Sequence, residues 1–435
     1  MSIDEILAGT MGVEGVRSLL SGAESQRAVA EELSGMLTPG TVLDSLRMHR
    51  SKFKPGRKLS AWYTAEIRRN RSTGAGIREI AVTWESGDPP DPRLGQQPEG
   101  DQEGQFRVLH RWEPVRQMHV FVSPFDPRFP GLAALAQPGA VAAWKPTDTR
   151  LVTTLRYRPG QRHLLRHGDG AAAVFVKLSR AQDPCHVANV AARLNRWFSA
   201  HEPAVRVLEP LDVLPESEAA LFRHAPGHPA RWDVPSLRRI GAAVRLLHGA
   251  PSDAVGVDMP SLAREVAGAM RAAQHLQVLQ PSAARSLRAT LEQAQEIRSS
   301  LADPVSTPVH GDLKLDHVWQ HGELLTLIDL DRTRCGDPAL DVGKLLADIR
   351  CSCQAGGGVR ALQQAFLSGY RGDLSTLIRA QVYEAIFVLK IAARRVPVTD
   401  PRWGERVSAL VADARLVIDG VNRQATTASP AGATS

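Results

Sequence analysis

Residues Pro308 to Gly343 read "PVHGDLKLDHVWQHGELLTLIDLDRTRCGDPALDVG" and hold His310, Asp312, His317, Asp329, Asp331, Asp337 and Asp341. No other stretch of the chain gathers acidic residues and histidines so densely. Its apolar runs and turn residues divide it into a loop from His310 to Asp316, a short strand from His317 to Trp319, a turn at His321-Gly322 and a second strand in "LLTLIDL". Gly336-Asp337-Pro338 then closes a loop into a helix. Carboxylates at the ends of two adjacent strands can converge on one point. Three of them near one point repel unless a cation sits between, which makes a hard divalent metal the natural occupant. Such a metal with a bound polyphosphate suits phosphoryl transfer, where catalysis is mostly positioning and charge neutralisation.

Around this segment the hydrophobic spacing is helical. "SLRRIGAAVRLLHGA", "SLAREVAGAMRAAQHL" and "AARSLRATLEQAQEIRSSL" precede it, and "ALDVGKLLADIR", "GVRALQQAFLSGY", "LIRAQVYEAIFVLKIAARR" and "RVSALVADARLVIDGV" follow. Further upstream, "DPCHVANVAARLNRWFSAH" reads as a helix with Asp183 as N-cap and Pro184 at its first position. "AVRVLEPLDVL" and "EAALFRH" read as strands. Strands first and helices after imply a two-lobed α+β enzyme with a cleft between the lobes, not a repeating βαβ sheet.

The N-terminal half contains an echo. "RSKFKPGRKLSAWYTAEI" (Arg50 to Ile67) and "TLRYRPGQRHLLRHG" (Thr154 to Gly168) each put a basic, aromatic strand before a Pro-Gly turn and another strand after it. A third apolar strand follows each, "REIAVTW" in the first copy and "AAAVFVKL" in the second, and only the second carries a lysine, Lys177. The match fits a degenerate repeat or the general frequency of Pro-Gly turns. Trp62, Trp84, Trp112 and Trp144 serve either as a binding platform or as core, and core is the expectation. Residues 86–106 are rich in Pro, Gly and acidic residues and read as a linker, and 425–435 as a disordered tail.

With 435 residues the chain is long for one domain. A formal charge of +7 would suit an anionic partner, but 46 acidic residues are interspersed and no long basic run occurs. A nucleotide or an acidic peptide fits this balance, and nucleic acid is not expected. The four cysteines, Cys185, Cys335, Cys351 and Cys353, form no zinc-type spacing, and "CSC" reads as a helix end before a glycine run. No export signal or membrane-spanning run is evident, so a cytoplasmic protein without a membrane partner is expected.

"HGDLKLDH" followed by "LIDLD" and "GDPALDVG" resembles the aminoglycoside phosphotransferase and choline kinase superfamily, whose fold is protein-kinase-like. The family pattern is H-G-D, an Asn five residues after that Asp, then I-D, then G-D-P-x-x-D. The resemblance covers Arg150 to Arg423. It implies a β-rich N-lobe and hinge over 150–227, a helical C-lobe over 228–424, and a preceding α/β cap over 1–130. It also implies ATP with Mg2+, or Mn2+, as cofactors.

Carried over by residue, Asp312 resembles the aspartate that takes or orients the acceptor hydroxyl's proton, and Asp329 the one that binds magnesium. Lys177 resembles the lysine on the α and β phosphates. The turn from Tyr157 to Gln161, with Gly160, is expected over the phosphates. The hinge "LFRHAPG" is expected to meet adenine through the backbone at Phe222 and His224. Lys314 either meets the transferred phosphate or is solvated, and His310 orders the catalytic loop. Asp331 either touches a second metal or faces solvent. Asp341 is expected to accept hydrogen bonds from the loop, and Asp337 to cap the next helix.

Two departures stand out. The segment from Cys185 through His201 has no acidic residue to pair with Lys177, which leaves Asp183 or Glu202. His317 stands where the family has Asn, and an imidazole nitrogen suits manganese or zinc better than magnesium, or acts through water. Three functions fit: a kinase for a small-molecule hydroxyl such as an aminosugar, sugar or natural product; a Ser/Thr kinase for a precursor peptide of lanthipeptide or thioamide type; and a nucleotide-binding pseudokinase. Acidic residues beside Asp312 would favour a cationic aminosugar, and an open groove along the N-terminal domain a peptide. The oligomeric state is not readable from the residues.

Overall fold

A computed structural model describes residues 2–69, 75–86, 104–180, 183–256, 262–352 and 358–428. Most of the expected linker, Cys353 and residues 429–435 lie outside these. The chain divides into two compact units, the first comprising 1–185, 210–224 and 397–401, the second the remainder.

The first unit opens with α1 (Ile3–Ala8), α2 (Gly12–Ser21) and α3 (Ala23–Ser34). A sheet follows from β1 (Thr41–Lys54), β2 (Lys58–Arg69), β3 (Ala75–Glu85), β4 (His110–Glu113) and β5 (Met118–Val122). Every pairing in it is antiparallel, in the order β1-β2-β3-β5-β4. The helices precede the strands instead of alternating with them, so this region is α+β where α/β was expected.

After the short α4 (Leu132–Leu135) come β6 (Val152–Arg158), β7 (Arg162–His167) and β8 (Val174–Ser179). The chain then forms α5 (Pro184–His201) and β9 (Val205–Val207) before returning as β10 (Asp212–Leu214) and β11 (Ala219–Arg223). The second sheet has the order β10-β11-β8-β7-β6. Read from its first strand, this is the order of the first sheet: a three-strand meander, then a hairpin whose later strand joins the third.

The two copies also agree in register. Gly56 and Gly160 sit at φ 68° and 70° in equivalent Pro-Gly turns. Leu164 lies opposite Lys177, and Ser60, at the same distance beyond its own turn, lies opposite Thr83. Thr83 therefore stands in the first sheet where Lys177 stands in the second.

One core joins the two sheets. Trp62 and Ala81 from the first, Phe129, Leu132 and Leu135 from the connection, and Tyr157, Leu165, Val176 and Leu221 from the second pack in a single buried cluster. Each large apolar side chain buried this way contributes about 1.5–3 kcal/mol, so the sheets stabilise one another. Trp62 and Trp84 are thus core residues. Trp112 is half-buried with its ring 4.2 Å from that of His119.

The second unit holds the helices. Asp183 Oδ1 accepts the Cys185 N–H at 2.9 Å, so α5 starts on the expected cap. The helical periods become α6 (Val234–His248), α7 (Leu262–Leu279), α8 (Pro281–Ser299), α9 (Ala339–Ser352), α10 (Val359–Tyr370), α11 (Leu374–Arg394) and α12 (Trp403–Ala428). The last runs into the segment read as a tail. A Cβ on Gly241 would lie 2.1 Å from the Phe366 carbonyl oxygen, and one on Gly369 1.8 Å from that of Arg238, so α6 and α10 meet backbone to backbone.

Four strands of this unit form one sheet, β12 (His228–Pro229), β14 (Val318–His321), β15 (Leu324–Leu327) and β9. β13 (Thr307–Val309) pairs with β16 (Arg334–Gly336). The segment read as a strand in "AVRVLEPLDVL" is thus divided: β9 pairs parallel to β15 here, while β10 belongs to the first unit. Among the described residues no helix is long and apolar enough to cross a membrane.

Candidate active site

The β13–β16 ladder and the β14–β15 hairpin deliver two short segments, His310 to Asp312 and Ile328 to Asp331. Gly311 turns the first at φ 75°, and a Cβ there would lie 2.2 Å from the Arg332 carbonyl oxygen. Asp329 turns the second in the left-handed region, φ 64° and ψ 55°, a conformation aspartate tolerates better than most residues.

Asp341, in the first turn of α9, holds the first segment from below. It is fully buried; its Oδ2 accepts the His310 N–H at 2.6 Å and its Oδ1 the Gly311 N–H at 2.8 Å. His248 Nε2 lies 3.2 Å from the same carboxylate, while its Nδ1 lies 2.9 Å from the Tyr370 hydroxyl. Burial pushes the Asp341 carboxyl up, but His248 and His310 together hold it below the usual range. Asp337 Oδ1 accepts the Ala339 N–H at 3.0 Å, and Arg379 Nε lies 3.2 Å from Asp337 Oδ2. Both expected support roles are present.

His310 is fully buried, with Nε2 2.9 Å from the Ile328 carbonyl oxygen and Nδ1 3.3 Å from the Asp312 nitrogen. A carbonyl only accepts and an amide N–H only donates, so Nε2 carries the proton and Nδ1 accepts. Both nitrogens are occupied in tying the two segments together, which makes His310 a positioning residue.

The same reasoning fixes His317. Its Nδ1 lies 3.0 Å from the Asp312 carbonyl oxygen and must donate. Burial lowers the ring's pKa to about 3 against the pull of Asp329, so at neutral pH Nε2 is a bare lone pair. That nitrogen lies 3.3 Å from Asp329 Oδ2, two electron-rich atoms facing each other. Ligand atoms of Asp312, His317 and Asp329 all lie within 4.8 Å of one another. A divalent cation relieves this opposition, and two carboxylates with one imidazole nitrogen suit manganese or zinc at least as well as magnesium. The donor set therefore fits a metal. Asp331, half-buried in the following turn, is not in this group.

Lys314 lies 3.5 Å from Asp316 Oδ2. The cation on Asp312 is instead Lys344, whose ammonium bonds Asp312 Oδ1. Burial pushes the Asp312 carboxyl up, but Lys344, then His317 and Arg332, pull it down to about 2, so it is ionised. The sequence reading missed Lys344. Its signal is the spacing: three residues after Asp341 on one helix, it shares a face with the residue that holds the loop.

In the first unit, Lys177 is half-buried on β8, opposite Leu164 and Ala220. The Gly160 N–H donates to Asp126 Oδ2 at 2.6 Å, and His163 Nε2 lies 2.8 Å from the same oxygen. Asp126 thus anchors the Pro-Gly turn, a second residue the sequence reading missed. Tyr157 corrects an expectation: its ring is 2% exposed and its hydroxyl donates to the Phe125 carbonyl, which leaves only its backbone to face a ligand. Phe222 is half-buried opposite Phe175, and the His224 ring centroid lies 5.6 Å from that of Phe175. The chain passes from the first unit to the second between His224 and Ala225.

Residues 158–374 match the sequence model described as "Phosphotransferase enzyme family". No curated protein matches the sequence. Among solved structures, a choline/ethanolamine kinase family protein from Mesorhizobium loti is similar at 17% identity, covering 66% of this chain and 97% of that one, with a TM-score of 0.45. An amicoumacin kinase in complex with AMP-PNP and Ca2+ is similar at 15% identity over 62% of this chain and 88% of that one, with a TM-score of 0.44. An aminoglycoside phosphotransferase from Streptomyces rimosus is 18% identical over 57% of this chain and 92% of that one, with a TM-score of 0.39.

Proposed function

Through residues 158–374 this chain belongs to the phosphotransferase enzyme family, and from that premise we propose that it moves the γ-phosphoryl group of ATP to a hydroxyl of a small molecule. The observation that carries this reading is the grouping of Asp312, His317 and Asp329 on a loop that Asp341 holds through two backbone N–H groups.

In the reaction a bond forms between the acceptor oxygen and the γ-phosphorus while the bond to the β–γ bridging oxygen breaks, and ADP leaves with that electron pair. The acceptor proton passes to Asp312 Oδ. Asp329 and His317 would hold the divalent metal, Mg2+ or Mn2+, beside Asp312, and the metal would supply neutralisation of phosphate charge when bound. Lys177 is assigned the α and β phosphates, and the Pro159-Gly160 turn, anchored by Asp126, the cover over them. Lys344 keeps Asp312 ionised and aligned.

Purified protein with ATP, divalent metal and candidate alcohols is expected to yield a product one phosphate heavier by mass spectrometry. Asp312→Asn should lower turnover by about 10²- to 10⁴-fold. Undiminished transfer in that variant would remove Asp312 from the chemistry. A second reading, nucleotide binding without transfer, is favoured by the bond from Lys344 to Asp312. ATP binding by the wild-type protein without product from any alcohol would support it.

A further inference from the structure

Beyond Asp329 and His317, which share the metal group with Asp312, the charges acting on it within the second unit are cationic, from Lys344 and Arg332. Lys344, on α9, and Lys390, on α11, each place an ammonium 5.0 Å from the ring centroid of Phe387. Lys344 bonds Asp312, and Lys390 bonds Glu265 on α7. One turn further along α11, Arg394 donates to the Gly268 carbonyl on α7 at 2.8 Å. A Cβ on Gly268 would lie 3.5 Å from Lys390 Nζ and 3.9 Å from an Arg271 guanidinium nitrogen, so Lys390, Arg271 and Arg394 meet on one turn of α7. Arg332 joins them, since its charge acts on Asp312, Glu265 and Arg394 and its backbone lies against Gly311.

The carboxylates among them are already engaged. Asp312 and Glu265 each bond a lysine, Asp329 belongs to the group that fits a metal, and the fully buried Asp341 holds the loop. Arg271, Arg332 and Arg394 are exposed, and among the described residues no carboxylate lies in salt-bridge reach of them. The crowding carries a cost: burial, then Arg271, lowers the pKa of Arg394, and burial, then Lys344 and Arg394, lowers that of Lys390, each against the pull of Glu265. Like charges held so close are relieved by an anion, and guanidinium groups match the geometry of phosphate and carboxylate.

We propose that the acceptor is an alcohol that also bears a phosphate or carboxylate group, and that Arg332, Lys390 and Arg394 hold this group while the hydroxyl faces Asp312. The inference rests on the phosphotransfer reading above and narrows its substrate class. It disfavours a cationic aminosugar, which would need acidic side chains beside Asp312 beyond those already engaged.

The test is calorimetric titration of the full chain, without nucleotide and at low ionic strength, using glycerol 3-phosphate, glycerate, glycerol and choline as probes. At least one of the two anions should bind about tenfold or more tightly than glycerol and choline, with the better one distinguishing phosphate from carboxylate. Arg394→Gln and Arg332→Gln should each weaken that binding by about tenfold. Both change exposed side chains, and a thermal melt confirms folding, so either variant carries the test if the other is unstable. The proposal is overturned if neither anion outbinds glycerol and choline, or if both substitutions leave anion affinity unmoved. Failure of the phosphotransfer reading would register separately, as no phosphorylated product from Mg·ATP and any alcohol with the wild-type chain while the anion titration stands.

Discussion

His317 Nε2 lies 3.3 Å from Asp329 Oδ2, a neutral ring nitrogen and a carboxylate oxygen brought face to face. The other ring nitrogen is committed to the Asp312 carbonyl, so the pair is oriented before any ligand arrives. His317→Asn would restore an oxygen donor at this place. The preference for Mn2+ over Mg2+ should then fall by about tenfold, the scale on which groups around a metal tune its affinity. Titrating each metal against activity or nucleotide binding measures the ratio, and an unchanged ratio would mean His317 is no ligand.

Asp341→Ala removes the acceptor for two loop N–H groups and leaves His248 facing a void. Breaking a buried charged network of this kind costs about 3–5 kcal/mol. Chemical denaturation should show that loss. Asp341→Asn, which keeps one acceptor oxygen, should lose less. Equal stability in all three proteins would show that the loop is held by something else.

Gly311→Ala puts a Cβ 2.2 Å from the Arg332 carbonyl oxygen at φ 75°. The left-handed backbone alone costs about 1–2 kcal/mol, and the clash moves the segment that carries Asp312. Turnover should therefore fall more steeply than melting temperature. A variant that retains full turnover would show that the position of Asp312 tolerates displacement.

The first sheet supplies a pH dependence. His110 Nε2 and His119 Nδ1 are 3.0 Å apart in the core, and burial, then His119, lowers the His110 pKa from 6.5 to about 3. Between these values the unfolded chain binds a proton that the folded chain refuses. Stability is therefore highest above pH 6.5 and declines as the pH falls toward 3, by up to about 1.4 kcal/mol per pH unit from this group. Urea unfolding at pH 7 and 4.5 should show a smaller difference for His110→Gln than for the wild type. An identical difference would assign the acid sensitivity to other groups.

The helices are legible from an apolar stripe at helical spacing, as the buried positions of α8 show, or, in α9 and α11, which are buried nearly all round, from a long apolar run between clear breakers. The H-G-D and I-D segments are legible because their chemistry is compact in sequence. Lys344 and Asp126 are not, because each meets its partner across a long interval: 32 residues to Asp312, 34 to Gly160 and 37 to His163. Linear spacing carries no direct signal for contacts that only the folded topology creates; for Lys344 its one trace is the place three residues after Asp341 on α9. The direction of the Tyr157 ring is not legible for the related reason that an aromatic residue beside a glycine turn looks the same whether its ring faces a ligand or the core. β9 is three residues long, too short for its apolar pattern to say which sheet it joins.

Thr83 occupying the place of Lys177 has a consequence for stoichiometry. Two sheets share one strand plan, yet a threonine hydroxyl offers no charge to a triphosphate, so on the proposed assignment of Lys177 to the phosphates the first copy has no cation at the equivalent place. Saturation with nucleotide should end at a single equivalent per polypeptide.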